Sequence, residues 1–206
     1  MHMKNNSISI KGLAIVFALA ASISLVNASV FSYSVALDGP SEFPVNASPG
    51  TGSGSVIYDN VAHTLQLQVS FSGLIATNTG TTASHIHAAT LNPFSGTAGV
   101  ATTTPSFAGF PLGVTSGTFA NTLDLTLASS WNGSYVTANG GTFASAEASL
   151  ASAMAAGKAY WNIHSASIPG GEIRGFLTAV PEPGSISLLG LGAVAFIARR
   201  SLSRKS

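Results

Sequence analysis

The chain has 206 residues, a formal net charge of +1, no cysteine, and only 7% charged residues, where an ordinary globular protein carries roughly 25%. So weak a field excludes electrostatic recognition of nucleic acid, and the lack of cysteine excludes disulfides and thiolate metal sites. The charge is also unevenly placed. Lys4, Lys11, Arg199, Arg200, Arg204 and Lys205 sit near the ends, whereas residues 29–179 carry Asp38, Glu42, Asp59, Asp124, Glu147 and Glu172 against Lys158 and Arg174, a net charge of −4. The middle is therefore mildly acidic, and long enough for one domain.

In chain order, the first element is a signal peptide over residues 1–28. Lys4 and Lys11 precede an apolar run from Leu13 to Val26, and Val26-Asn27-Ala28 supplies the small residues that signal peptidase requires. Cleavage is expected between Ala28 and Ser29. The run is short for a bilayer span and a cleavage site follows it directly, which argues against an uncleaved anchor.

From Ser29 to Ala179 the dominant period is two. Phe31, Tyr33, Val35 and Leu37 alternate with Ser32, Ser34 and Ala36; Leu65, Leu67, Val69 and Phe71 with Thr64, Gln66, Gln68 and Ser70; Leu123, Leu125 and Leu127 with Thr122, Asp124 and Thr126. Each pattern predicts a strand with one wet face. Shorter strands are predicted at 54–58, 83–88, 115–119, 159–164 and 172–177, separated by Gly, Pro and Asn turns. The alanine-rich segment 142–156, with Leu150 and Met154 four apart and Gly157 after it, predicts one helix. The expected fold is all-β, an antiparallel Greek-key-like sandwich or barrel with one short helix. No repeat of twenty to fifty residues indicates a solenoid or propeller.

The last element is a tail over residues 180–206. Val180-Pro181-Glu182-Pro183-Gly184 leads into an apolar stretch from Ile186 to Ala198 and then Arg199-Arg200. The prolines break any element entering from the domain. The apolar stretch suits a short transmembrane-like helix, and the arginines hold its end cytoplasmic. On this reading the domain lies outside.

Three histidines fall inside predicted strands. His85 and His87 flank Ile86, and His164 follows Asn162 and Ile163. Residues two apart share a face, so with Ile86 and Ile163 inward, His85, His87, Asn162 and His164 point the other way. Two imidazoles two apart on a strand can seat a metal ion, and a third completes a three-nitrogen site suited to copper or zinc. The alternative is that all are hydrogen-bonded sheet residues. In the last strand, Glu172 and Arg174 share a face opposite Ile173. Arg174 is expected either to pair with a carboxylate and fix the sheet edge, or to face an acidic ligand.

Two family resemblances rest on these residues. Pro181-Glu182-Pro183, with the apolar span and basic end after it, resembles the PEP-CTERM signal of Gram-negative bacteria, which is cleaved by an exosortase. That implies cell-surface attachment or release, transient insertion of the tail in the inner membrane, and typically an exopolysaccharide-producing, biofilm-forming cell. Ala36-Leu37-Asp38-Gly39-Pro40 with Glu42 and Pro44, Gly54-Ser55-Val56, Ser84-His85-Ile86-His87, Tyr160-Trp161-Asn162-Ile163-His164 and Gly170-Gly171-Glu172-Ile173-Arg174-Gly175 resemble the CHRD domain over about residues 31–177. CHRD domains occur in chordin, an extracellular growth-factor antagonist, and in exported microbial proteins without an assigned role. Chordin's cysteine-rich repeats are absent, so growth-factor binding is not carried over. At the level of fold, His85, His87 and His164 are similar to copper ligands of copper/zinc superoxide dismutases. No residue matches the bridging histidine, since His63 precedes the pair, and the zinc loop and disulfide are missing.

Three functions stay open. The leading one is a non-enzymatic surface or matrix module that binds exopolysaccharide or other surface proteins, with Trp131, Tyr135, Tyr160 and Trp161 as candidate stacking platforms. The second is a mononuclear copper or zinc domain at His85, His87 and His164. The third, a hydrolase, has little support, because no Gly-x-Ser-x-Gly elbow or convincing carboxylate pair occurs.

Overall fold

Alternating apolar residues place eight strands in a single curled antiparallel sheet. They are β1 (Val30–Asp38), β2 (Thr51–Asp59), β3 (Thr64–Ser72), β4 (Thr81–His87), β5 (Gly117–Asp124), β6 (Tyr160–Ser165), β7 (Ile173–Phe176) and β8 (Thr178–Val180). The computed structural model describes residues 30–77 and 80–181. The predicted signal peptide with its Ala28/Ser29 junction, and the tail from Glu182 with its predicted membrane helix, lie outside the described residues. Among the described residues no helix is long and apolar enough to cross a membrane.

The strand order is β4-β6-β7-β1-β2-β3-β5, with β8 also on β1. The strands form one sheet that curls into a half-barrel. Tyr33 opposes Val56, Val56 opposes Leu67, and Leu65 and Val69 oppose Leu123 and Phe119, so one face of four strands forms a continuous core. The other face carries Ser, Thr and Gln. β8 leaves at the start of β1, Ser32 opposing Val180, whereas β7 meets β1 at its far end, Asp38 opposing Arg174.

The free edge of β4 is covered by its own chain. Residues 99–113 run along it with Ala88 N–H to Gly99 O, Ala101 N–H to Ile86 O, Phe107 N–H to Ser84 O and Gly113 N–H to Thr81 O. This satisfies an edge that otherwise invites pairing with another chain. Phe107 then closes the curl, its ring 5.7 Å from Phe119 and 5.6 Å from Trp161.

The predicted helix is present as α2 (Phe143–Ala155), preceded by a shorter α1 (Gly133–Ala138) that the sequence pattern does not indicate. Thr142 caps α2 through a reciprocal capping box with Ser145, and Ala146, Leu150, Ala153 and Met154 are buried. The helix stops before Gly157, which has φ +66° and packs against the Phe94 ring where a side chain would stand. The strands predicted at 115–119 and 122–127 are one strand, β5. It ends at Asp124 because the Asp124 carboxylate accepts from both the backbone N–H and the hydroxyl of Thr126, which turns the chain and leaves Leu127 exposed.

A candidate metal centre

The register of β4, β6 and β7 determines which side chains meet. Ala83 opposes His164, His85 opposes Asn162, and His87 opposes Tyr160; Asn162 in turn opposes Arg174, and Tyr160 opposes Phe176. Opposed residues share a face. Ile86, Trp161, Ile163 and Ile173 take the other face and are fully buried in the core, as the two-residue period requires. The histidine face is not open to solvent, however. The loops after β1, β4 and β6 fold over it, so that His85, His87, Asn162 and Arg174 are themselves buried, and His164 is half-buried.

Each histidine is oriented by a backbone carbonyl. His85 Nδ1 lies 3.2 Å from Pro105 O, His87 Nδ1 2.8 Å from Ala98 O, and His164 Nδ1 2.9 Å from Pro169 O. A carbonyl oxygen only accepts, so each Nδ1 carries the hydrogen and each neutral ring presents an Nε2 lone pair. These lone pairs converge. The ligand atoms of the three rings all lie within 4.8 Å of one another, His85 Nε2 and His164 Nε2 are 2.9 Å apart, and His87 Nε2 is buried without a hydrogen-bond partner.

Burial, reinforced by the neighbouring rings His87 and His164, pushes His85 down to about 3. Burial likewise pushes His87 down to about 4 and lowers His164. At neutral pH all three are therefore uncharged. Two lone pairs at 2.9 Å then repel unless a cation stands between them, and the low basicity disfavours a proton in that role. A metal ion about 2.0–2.1 Å from each nitrogen would set the nitrogens roughly 3.4–3.6 Å apart, a spacing bracketed by those observed. The carbonyl behind each ring is the outer-shell partner that metal-ligating histidines usually have.

Arg174, also sought as a site residue, anchors loops. Its Nε donates to Ser41 O and its Nη1 to Gly96 O at 3.0 Å, while its Cζ lies 4.8 Å over the Tyr160 ring. Its carboxylate neighbour is Glu42, at 3.7 Å. Desolvation outweighs the attraction of Arg174 and raises Glu42 to about 7. Glu172 faces elsewhere, accepting from the Ser48 hydroxyl at 2.7 Å and the Ile75 N–H at 2.6 Å. Asn162 lies beside His85, its Oδ1 unpartnered. The surrounding glycines follow from packing: Gly171 has φ +134°, and a side chain at Gly175 would collide with Ala36 O.

Sequence reasoning missed Glu42 as the partner of Arg174, and Tyr160 as a ring stacked on His87 at 4.6 Å and 6°. Trp131, Tyr135, Tyr160 and Trp161 are not stacking platforms for sugars. All four are buried, and the indole N–H groups of the two tryptophans bond to Leu125 O and Ser84 Oγ inside the core.

Comparison with known proteins gives two matches, a CHRD domain over residues 33–177 and a PEP-CTERM protein-sorting motif over residues 179–205. No curated protein and no solved structure matches the chain.

Proposed function

The chain belongs to the CHRD domain family, and on that premise we propose that it is a surface-displayed domain that binds a single copper or zinc ion through Nε2 of His85, His87 and His164. The PEP-CTERM motif supports export, sorting to the surface of a Gram-negative cell, and processing by an exosortase. On the same reading the tail inserts transiently in the inner membrane before that processing.

The observation that carries the metal reading is the convergence of three imidazoles whose Nδ1 atoms each face a backbone carbonyl. That leaves three Nε2 lone pairs facing one small volume, with Nε2 of His85 and Nε2 of His164 2.9 Å apart and Nε2 of His87 unpartnered. The test is metal analysis and calorimetry on the purified chain, beside His85→Ala, His87→Ala and His164→Ala. One equivalent of copper or zinc in the wild type, lost in each variant, is the expected result. No metal uptake by the correctly folded wild type refutes it.

A second reading concerns the polar face of β1, β2, β3 and β5. Ser34, Ser55 and Gln68 form one row across β1, β2 and β3, and Ser53, Ser70 and Thr118 another across β2, β3 and β5. A groove there is lined by Ser55, Gln66, Gln68, Asn121 and Thr122, with Ile57, Leu67 and Ala120 beside them. This uncharged surface, with hydroxyls and amides beside apolar residues, favours a neutral exopolysaccharide as ligand. Sedimentation with the polymer, reduced by Gln66→Glu with Gln68→Glu, tests it; equal sedimentation of the two proteins rules the groove out.

A further inference from the structure

The kind of ion follows from the charge around the donors. The cluster contains three imidazoles and no carboxylate, so an ion bound there keeps its whole charge. The fixed charge that reaches it is a cation. Arg174 is linked to the cluster through Tyr160, its Cζ 4.8 Å from the Tyr160 ring centre and that ring 4.6 Å from His87. A guanidinium at that remove repels any cation seated among the three rings. Glu42 offsets the guanidinium only in part, because burial holds its carboxyl near 7 and one of its oxygens has no partner.

We propose that this centre is built for a monovalent ion, cuprous copper held by three neutral nitrogens, in preference to a divalent one; this rests on the metal reading above. Three features point the same way. Desolvating a dication without an anionic ligand costs far more than desolvating a monocation. Cuprous copper accepts three-coordination, whereas zinc calls for a fourth ligand. His85 and His87 are buried and His164 is half-buried, which restricts the approach of a fourth ligand from solvent.

At an effective dielectric constant of about 20, a fixed positive charge ~10 Å away weakens binding by about tenfold for each added unit of ion charge. The test uses the full purified chain. Cuprous affinity is measured anaerobically by competition with bicinchoninate, and zinc affinity by competition with a chromophoric chelator. X-ray absorption of the copper-loaded protein counts the ligands.

Cuprous binding at one equivalent, at least about tenfold tighter than zinc, with three nitrogens and no fourth ligand, is the expected outcome. In His164→Asp a carboxylate replaces one imidazole, and the preference for the monovalent ion should narrow by about tenfold or more. Zinc binding as tight as cuprous copper, or a copper spectrum with four ligands, overturns this proposal and leaves the metal reading standing. Failure to bind either ion overturns the metal reading itself.

Discussion

Replacing Glu42 by glutamine should change the slope of stability against pH. Glu42 is 4% exposed. Its Oε2 receives the Phe43 N–H at 3.3 Å and faces Arg174 at 3.7 Å, while its Oε1 has no partner. Desolvation dominates and moves the carboxyl from 4.5 to about 7. A raised folded-state value means that the folded protein holds a proton which the unfolded chain has already released. The associated stability is complete below 4.5 and is lost as pH rises through about 7. At 1.36 kcal/mol per pH unit the loss is about 3 kcal/mol. Urea unfolding at pH 4.5 and pH 8 measures it, because every other titrating group is common to both proteins and cancels. Relative to Glu42→Gln, the wild type should lose about 3 kcal/mol between those two pH values. Parallel profiles would show that Glu42 is ionised throughout, and the desolvation argument would fail.

Three further substitutions probe the frame. Phe107→Ala removes the ring between Phe119 and Trp161, and denaturant unfolding should register a loss of about 3–5 kcal/mol. Thr142→Ala deletes the α2 capping box; a loss of about 1 kcal/mol, with faster amide exchange in the first turn of α2, is expected. Tyr58→Phe strips a buried hydroxyl that donates to Glu147 at 2.8 Å. It should cost about 1–3 kcal/mol in the same unfolding assay.

The strands were legible wherever one face is wet and the other dry, because the pleat converts burial directly into an alternating pattern. β1, β3 and α2 lie close to where periodicity and capping put them. β5 was split in two because the Leu123-Leu125-Leu127 alternation continues past the point where the Asp124 side chain turns the backbone. The six-residue α1 was missed because Gly133, Val136 and Thr137 are poor helix formers, although its cap, Asn132, was a usable signal. At the site, spacing placed His85, His87 and His164 on one face. It could not show that loops bury that face, because the acceptors that orient the rings are the backbone carbonyls of Ala98, Pro105 and Pro169, and a carbonyl leaves no mark on residue identity. The partnership of Arg174 with Glu42 spans 132 positions in sequence and was hidden for the same reason. Proximity there is a product of the closed fold.

The two ends of β1 have different neighbours, and this gives the domain a polarity. The described chain both enters and leaves beside Ser32, where β8 pairs. The row of His85, Asn162 and Arg174 meets β1 at Asp38, about 20 Å further along the strand. The imidazoles therefore stand at the end of the sheet away from the point where the described chain enters and leaves, so that anything fastened to Val180 would be separated from them by the length of β1.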